Sequence, residues 1–178
     1  MSIPNYLTLF RILLTPVFFI SLVSYTPEKE HLRLIALGIF ALASVTDALD
    51  GILARYLRQR TELGQMLDPL ADKILLVAAY IGMLFVPAIP FRPALWITIT
   101  IIFRDLILLF GFFTLNSADV KVAVQPNWWG KLTTLSQILL ICCILLEWPI
   151  AVPLAYVAVT FTIISGIIYL KRGLKFIQ

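Results

Sequence analysis

Residues 34–55 read LIALGIFALASVTDALDGILAR, thirteen uncharged residues followed by Asp47, Asp50 and Arg55. An ionised aspartate at the centre of a membrane helix costs about 2.5–3.5 kcal/mol on insertion scales. An apolar run that passes directly into two carboxylates therefore marks a helix with a task at one end. Asp68 and Asp72 repeat the pattern ahead of the uncharged run 74–91. The spacings are i,i+3 for Asp47 and Asp50 and i,i+4 for Asp68 and Asp72, so each pair shares one helix face. The short connection around 56–65 predicts antiparallel neighbours whose acidic faces meet at one depth.

The rest of the chain is of the same kind. Its 178 residues are 61% hydrophobic and 13% charged, against about 45–50% and about 25% in soluble domains. Mean hydropathy is +0.97. These values exclude an ordinary soluble domain and a disordered tail, and the length suits a single domain over 1–178. The +4 formal charge sits between apolar segments, which favours anionic lipid over nucleic acid as a partner. Cys142 and Cys143 are adjacent in an apolar run and read as packing residues.

Further uncharged runs cover 12–25, 132–146 and 148–170, and 93–118 is interrupted only at Arg104 and Asp105. A spanning helix takes about 20 residues, so the fold is predicted to be all-α: a polytopic integral membrane protein. Six transmembrane helices are expected near 10–25, 32–55, 66–86, 93–115, 131–147 and 150–170. Residues 5–10 are expected to form an N-terminal interfacial segment before the first span, and no removed signal peptide is read there. Pro16 is expected to kink the first span without ending it. Trp128 and Trp129 fit an interfacial connection. One set of loops and termini carries nine basic residues and the other three, which predicts that both termini are cytoplasmic.

Four carboxylates near one surface, with neither His nor Cys beside them, form a hard-oxygen set suited to Mg²⁺ or Mn²⁺. Two other readings stay open on spacing alone. Arg55, Arg58, Arg60, Lys73 and Arg104 could neutralise the acids in ion pairs, or the acids could relay protons in a transporter.

The complete pattern is Asp47-x2-Asp50-Gly51-x2-Ala54-Arg55-x8-Gly64-x3-Asp68-x3-Asp72. It resembles, at every defined position, the signature of the CDP-alcohol phosphotransferases. Ile3-Pro4-Asn5-Tyr6-Leu7-Thr8 with Arg11, and Lys171-Arg172-Gly173, are similar to the ends of that family. The resemblance implies a six-helix membrane enzyme, usually a homodimer, with its site open to the cytoplasmic surface of the inner membrane. By motif position it implies that Asp47, Asp50 and Asp68 bind two divalent cations, Mg²⁺ or Mn²⁺, with Asp72 near enough to ligate one. Asp72 would also be the catalytic base. Gly51, Ala54, Arg55, Thr61 and Gly64 would hold the CDP part of CDP-diacylglycerol, with Asn5 and Thr8 beside them.

For the acceptor alcohol the resemblance divides. Arg104-Asp105 is similar to the cardiolipin synthase branch, which uses phosphatidylglycerol. The glycerol 3-phosphate branch typically has Arg-Glu, a further arginine where this chain has Gly111, and a second lysine where it has Thr133. A phosphate monoester carries about −1.5 to −2 charge, and a pocket with Arg104, Lys131 and Arg172 suits a phosphodiester better. Phosphatidylglycerol is the expected acceptor and glycerol 3-phosphate the alternative.

Overall fold

The computed structural model describes the backbone of residues 3–57, 62–117 and 128–174. It describes the side chains of all these except 3–5, 48–57, 62–69, 72, 112, 115–117 and 172–174. Among the described residues there are six α-helices and no strand: α1 (Ile3–Val23), α2 (Glu30–Leu57), α3 (Glu62–Leu84), α4 (Leu95–Ser117), α5 (Trp128–Leu145) and α6 (Ala151–Leu174). The expected all-α class and helix order hold. The separate N-terminal segment does not: α1 runs unbroken through residues 5–10. Pro4 falls in its first turn, where a missing N–H costs nothing, and Pro16 lies inside the helix without ending it. Trp128 and Trp129 likewise open α5 rather than lying in a connection.

Cross-helix contacts fix the chain directions. Arg11 meets Asp47 and Phe18 stacks obliquely on Phe40 at 5.6 Å, so α1 and α2 are antiparallel. Leu22 and Phe19 close over Gly82, so α1 and α3 run the same way. α1 packs along both α2 and α3 and, among the described residues, is the main neighbour of each. The short 58–61 link sets the order of the two motif helices, while α1 holds them. α5 and α6 form an antiparallel pair, α4 packs on α6, and α3 touches α4 and α5. Phe18, Phe40, Tyr80, Met83, Ile101, Leu140, Ile141 and Ile144 are buried in the shared core.

Leu13, Val17 and Ile20 of α1, Phe103, Ile107 and Phe110 of α4, and Leu135 and Leu139 of α5 face outward. In water such rows would be extended apolar patches; lipid makes them an ordinary outer surface. Among the described residues, Tyr6–Val23, Trp128–Leu145 and Ala151–Lys171 are long and apolar enough to cross a membrane by length and composition.

The end of the bundle remote from the acidic motif is closed by polar side chains. Arg33 of α2 is buried and donates through Nη1 to the Leu145 carbonyl at 2.7 Å, satisfying an orphan group at the end of α5. Its Nη2 pairs with Glu30 at 2.6 Å, and its Nε lies 3.5 Å from Glu147 Oε1. The Tyr25 hydroxyl donates to the same Glu147 oxygen at 3.0 Å. Glu147 has φ 55°, and the Trp148 and Glu147 amides bond back to Cys143 and Ile144. That is a helix-ending motif in which glycine is usual.

Candidate active site

Asp47 is the motif carboxylate whose surroundings are described. It lies ten residues before the end of α2, about 15 Å along the axis. Its Oδ1 is 2.7 Å from Arg11 Nη1. The two partners are unequally covered: the Arg11 side chain is 1% exposed and that of Asp47 38%. Arg11 lies eight residues into α1, so its charge is held within the bundle at the depth of Asp47. One cation serving this carboxylate thus comes from α1; the side chains of Arg55, Arg58 and Arg60, expected to neutralise the acids, lie outside the described residues.

Asp50, Gly51, Ala54 and Arg55 follow on α2, and Gly64, Asp68 and Asp72 lie on α3. Their side chains, with that of Asn5 on α1, fall outside the described residues, as does Thr61 altogether. Thr8 is buried on α1, three residues before Arg11 and on the same face. The two motif helices and the 5–11 segment thus belong to one structural unit, with α1 packed along both α2 and α3.

The donor chemistry fits a hard divalent cation. The single histidine, His31, opens α2, about 24 Å along the helix from Asp47. Cys142 and Cys143 lie at the far end of α5, leaving oxygen donors beside the motif. Among the described residues no three metal-ligating side chains come together; three of the four candidate ligands are outside that set.

Of the expected acceptor residues, Arg104 lies beside Gly130, the residue before Lys131, and beside Tyr169, three residues before Arg172. Arg104 is buried on α4: its Nη1 donates to Asp105 Oδ1 at 2.7 Å and its Nη2 to Ser165 Oγ of α6. Its guanidinium also lies 5.9 Å from the centre of the Tyr169 ring. Lys131 is exposed at the start of α5, with its ammonium 5.2 Å from the Trp128 ring centre. Arg172 is on α6, its side chain outside the described residues. Lys73, which follows Asp72, pairs with Asp105 at 2.9 Å. Thr133, the position read as a missing lysine, is buried between α5 and α6 and donates to the Phe161 carbonyl at 3.0 Å. A lysine there would need a different α5–α6 seam, so Thr133 reports packing as much as acceptor choice.

Two pairings were not foreseen. For Arg11–Asp47 the available signal was an arginine in an otherwise apolar first helix. For Lys73–Asp105 it was a single acid and a single base at matching depth in consecutive helices.

A family model described as CDP-alcohol phosphatidyltransferase matches residues 1–164. The chain is 35% identical over 98% of its length to a Mycobacterium tuberculosis protein named "Probable phosphatidylglycerophosphate synthase", covering 82% of that protein. It is 37% identical over 96% of its length to the Haemophilus influenzae CDP-diacylglycerol–glycerol-3-phosphate 3-phosphatidyltransferase, covering 92% of it. It is also 35% identical over 79% of its length to the Homo sapiens cardiolipin synthase (CMP-forming), covering 48% of that protein.

Proposed function

The chain belongs to the CDP-alcohol phosphatidyltransferase family, and from that premise we propose that it moves the phosphatidyl group of CDP-diacylglycerol to a glycerol-type alcohol. The observation that carries the reading is the complete eight-residue motif, on two helices that share α1 as their support.

The acceptor hydroxyl attacks the phosphorus bearing the lipid, a new phosphorus–oxygen bond forms, and the bond to CMP breaks. Asp72 takes the proton released by the hydroxyl, and a carboxylate serves there without a large pKa rise if proton transfer is late. Arg55 offers a planar pair of donors to the CDP phosphates. Gly51, Ala54 and Gly64 leave room for the nucleotide, with Thr61, Asn5 and Thr8 as further contacts. Two divalent cations, Mg²⁺ or Mn²⁺, held by Asp47, Asp50, Asp68 and Asp72, would neutralise the pyrophosphate and stabilise departing CMP. Arg11 holds one oxygen of Asp47 and so limits how that carboxylate turns.

Two acceptors have specific support. Glycerol 3-phosphate is the first reading, because the relatives matched over nearly the whole chain are named for it or for its product. Phosphatidylglycerol is the second, favoured by the sequence Arg104-Asp105 and by Gly111 and Thr133 where the glycerol 3-phosphate branch typically has an arginine and a lysine. The enzyme is further proposed to span the inner membrane six times as a homodimer, with both termini and the motif on the cytoplasmic side, as the basic-residue asymmetry supports.

The test is CMP release by the purified chain in mixed micelles containing CDP-diacylglycerol and Mg²⁺. Glycerol 3-phosphate and phosphatidylglycerol are offered in separate reactions. Turnover with either, lost on chelation and restored by Mg²⁺, supports the transferase and names its acceptor. Silence with both overturns the assignment of a glycerol-type acceptor.

A further inference from the structure

Asp105 joins two cations that belong to different helices. Its side chain is 2% exposed. Oδ2 accepts from Lys73 Nζ of α3 at 2.9 Å and Oδ1 from Arg104 Nη1 of α4 at 2.7 Å. Arg104 extends the chain of contacts to Ser165 of α6. Gly130 of α5 allows the approach: a Cβ there would lie 3.2 Å from the Tyr169 hydroxyl and 3.7 Å from Arg104 Nη2. Two cations sharing one carboxylate leave a net charge of +1 in a water-poor region.

Such clusters are poor stabilisers. Desolvation cancels most of the attraction, and apolar residues of equal volume often serve stability as well or better. What a buried ion pair adds is direction. Lys73 follows Asp72 on α3, so the two positions are about 100° apart around the helix, and Asp68 is about 40° beyond Asp72. Holding Lys73 against α4 therefore fixes how far α3 is turned about its own axis. A turn of about 20° moves a group some 5–6 Å from the axis, the outer radius of a helix with its side chains, by about 2 Å. A misplacement of about 1 Å can cost about 10²-fold in rate.

We propose that Asp105 is a positioning residue for phosphatidyl transfer, acting through Lys73 to set the rotation of α3 and with it the place of Asp68 and Asp72. The inference rests on the transferase reading above and adds a residue outside the motif. Asp105 touches no substrate in this scheme.

The experiment uses the purified full-length chain and its variants Lys73→Met, Lys73→Arg, Asp105→Asn and Lys73→Met/Asp105→Asn. It reads kcat and KM for CMP release, CDP affinity by tryptophan fluorescence, and the thermal midpoint. Lys73→Met and Asp105→Asn are expected to lower kcat at least tenfold, with acceptor KM and CDP affinity each within about threefold of wild type. The double variant is expected to be no worse than Lys73→Met by more than about threefold, because residues acting through one contact are not additive. Lys73→Arg is expected to recover most of kcat. If Asp105→Asn does not fold, Lys73→Met carries the test alone, since it leaves the Arg104–Asp105 pair in place. Unchanged kcat would overturn the proposal. So would a rise confined to acceptor KM, which would place the cluster in the acceptor pocket, or a parallel fall of kcat, CDP affinity and midpoint. A wild-type chain silent with both acceptors would instead overturn the glycerol-type acceptor on which this scheme rests.

Discussion

Arg11 and Asp47 meet at 2.7 Å across the α1–α2 seam with their burial reversed from the usual order, the guanidinium enclosed and the carboxylate open on one side. A charged hydrogen bond is worth about 1.5–3 kcal/mol, less where one partner is solvated. Arg11→Met is therefore expected to destabilise the chain by about 1–2 kcal/mol, or about 2–8 °C in thermal midpoint, with reduced CMP release. Arg11→Lys should recover part of both. An unchanged midpoint would show that the pair contributes nothing.

Asp72→Asn is expected to abolish most turnover while CDP binding persists, and Asp68→Ala is expected to lose both. Retention of more than about a tenth of wild-type kcat by Asp72→Asn, a cost below about 1.4 kcal/mol, would exclude Asp72 as the base. Parallel CDP titrations separate loss of chemistry from loss of the site.

Much of this arrangement was legible in the sequence because its signals are local. Uncharged runs long enough for helices, broken by Pro87, Pro90 and Pro93 or by loop charges, gave six elements in the right order. The motif spacing placed its acids on two helices. What was not legible depended on partners distant in the chain. Arg11 could be seen as an odd charge in α1, but nothing in the spacing tied it to Asp47. Arg104 was expected at the acceptor through a likeness to the cardiolipin synthase branch; its reach to Ser165 of α6 could not be read from the chain. The first span was drawn from near residue 10 because the uncharged run begins after Arg11, whereas α1 begins at Ile3 and takes Arg11 inside the helix.

Two helical glycines should respond oppositely to alanine. A Cβ on Gly82 would lie 2.7 Å from Leu22 Cδ2, and Leu22 is fully buried. Gly82→Ala is expected to cost about 1–3 kcal/mol through overpacking. Gly38 is exposed, with nothing within 4 Å, so Gly38→Ala is expected to be neutral or stabilising by up to about 1 kcal/mol. Thermal midpoints in one detergent decide both; a reversed order would mean that α1 and α3 do not pack as described.

Glu147 combines a costly backbone conformation with useful side-chain contacts. A left-handed residue with a Cβ costs about 1–2 kcal/mol. Glu147→Ala keeps that cost and loses Tyr25 and Arg33, so it is expected to be destabilised by about 1–2 kcal/mol. Glu147→Gly loses the contacts but relieves the backbone, and is expected to stay near wild type. Equal midpoints for the two variants would argue against the left-handed turn.

The placement of Arg11 also sets an order of events during synthesis. Chains are made from the N-terminus at about 5–20 residues per second, so on the membrane-spanning reading proposed above the Arg11 guanidinium reaches the bilayer ahead of Asp47. An arginine at mid-helix is disfavoured by about 2.5–3.5 kcal/mol on insertion scales. On that reading the first helix carries an uncompensated charge until the second arrives, and the acid proposed to serve the reaction first serves as the counter-charge that lets the opening helix settle.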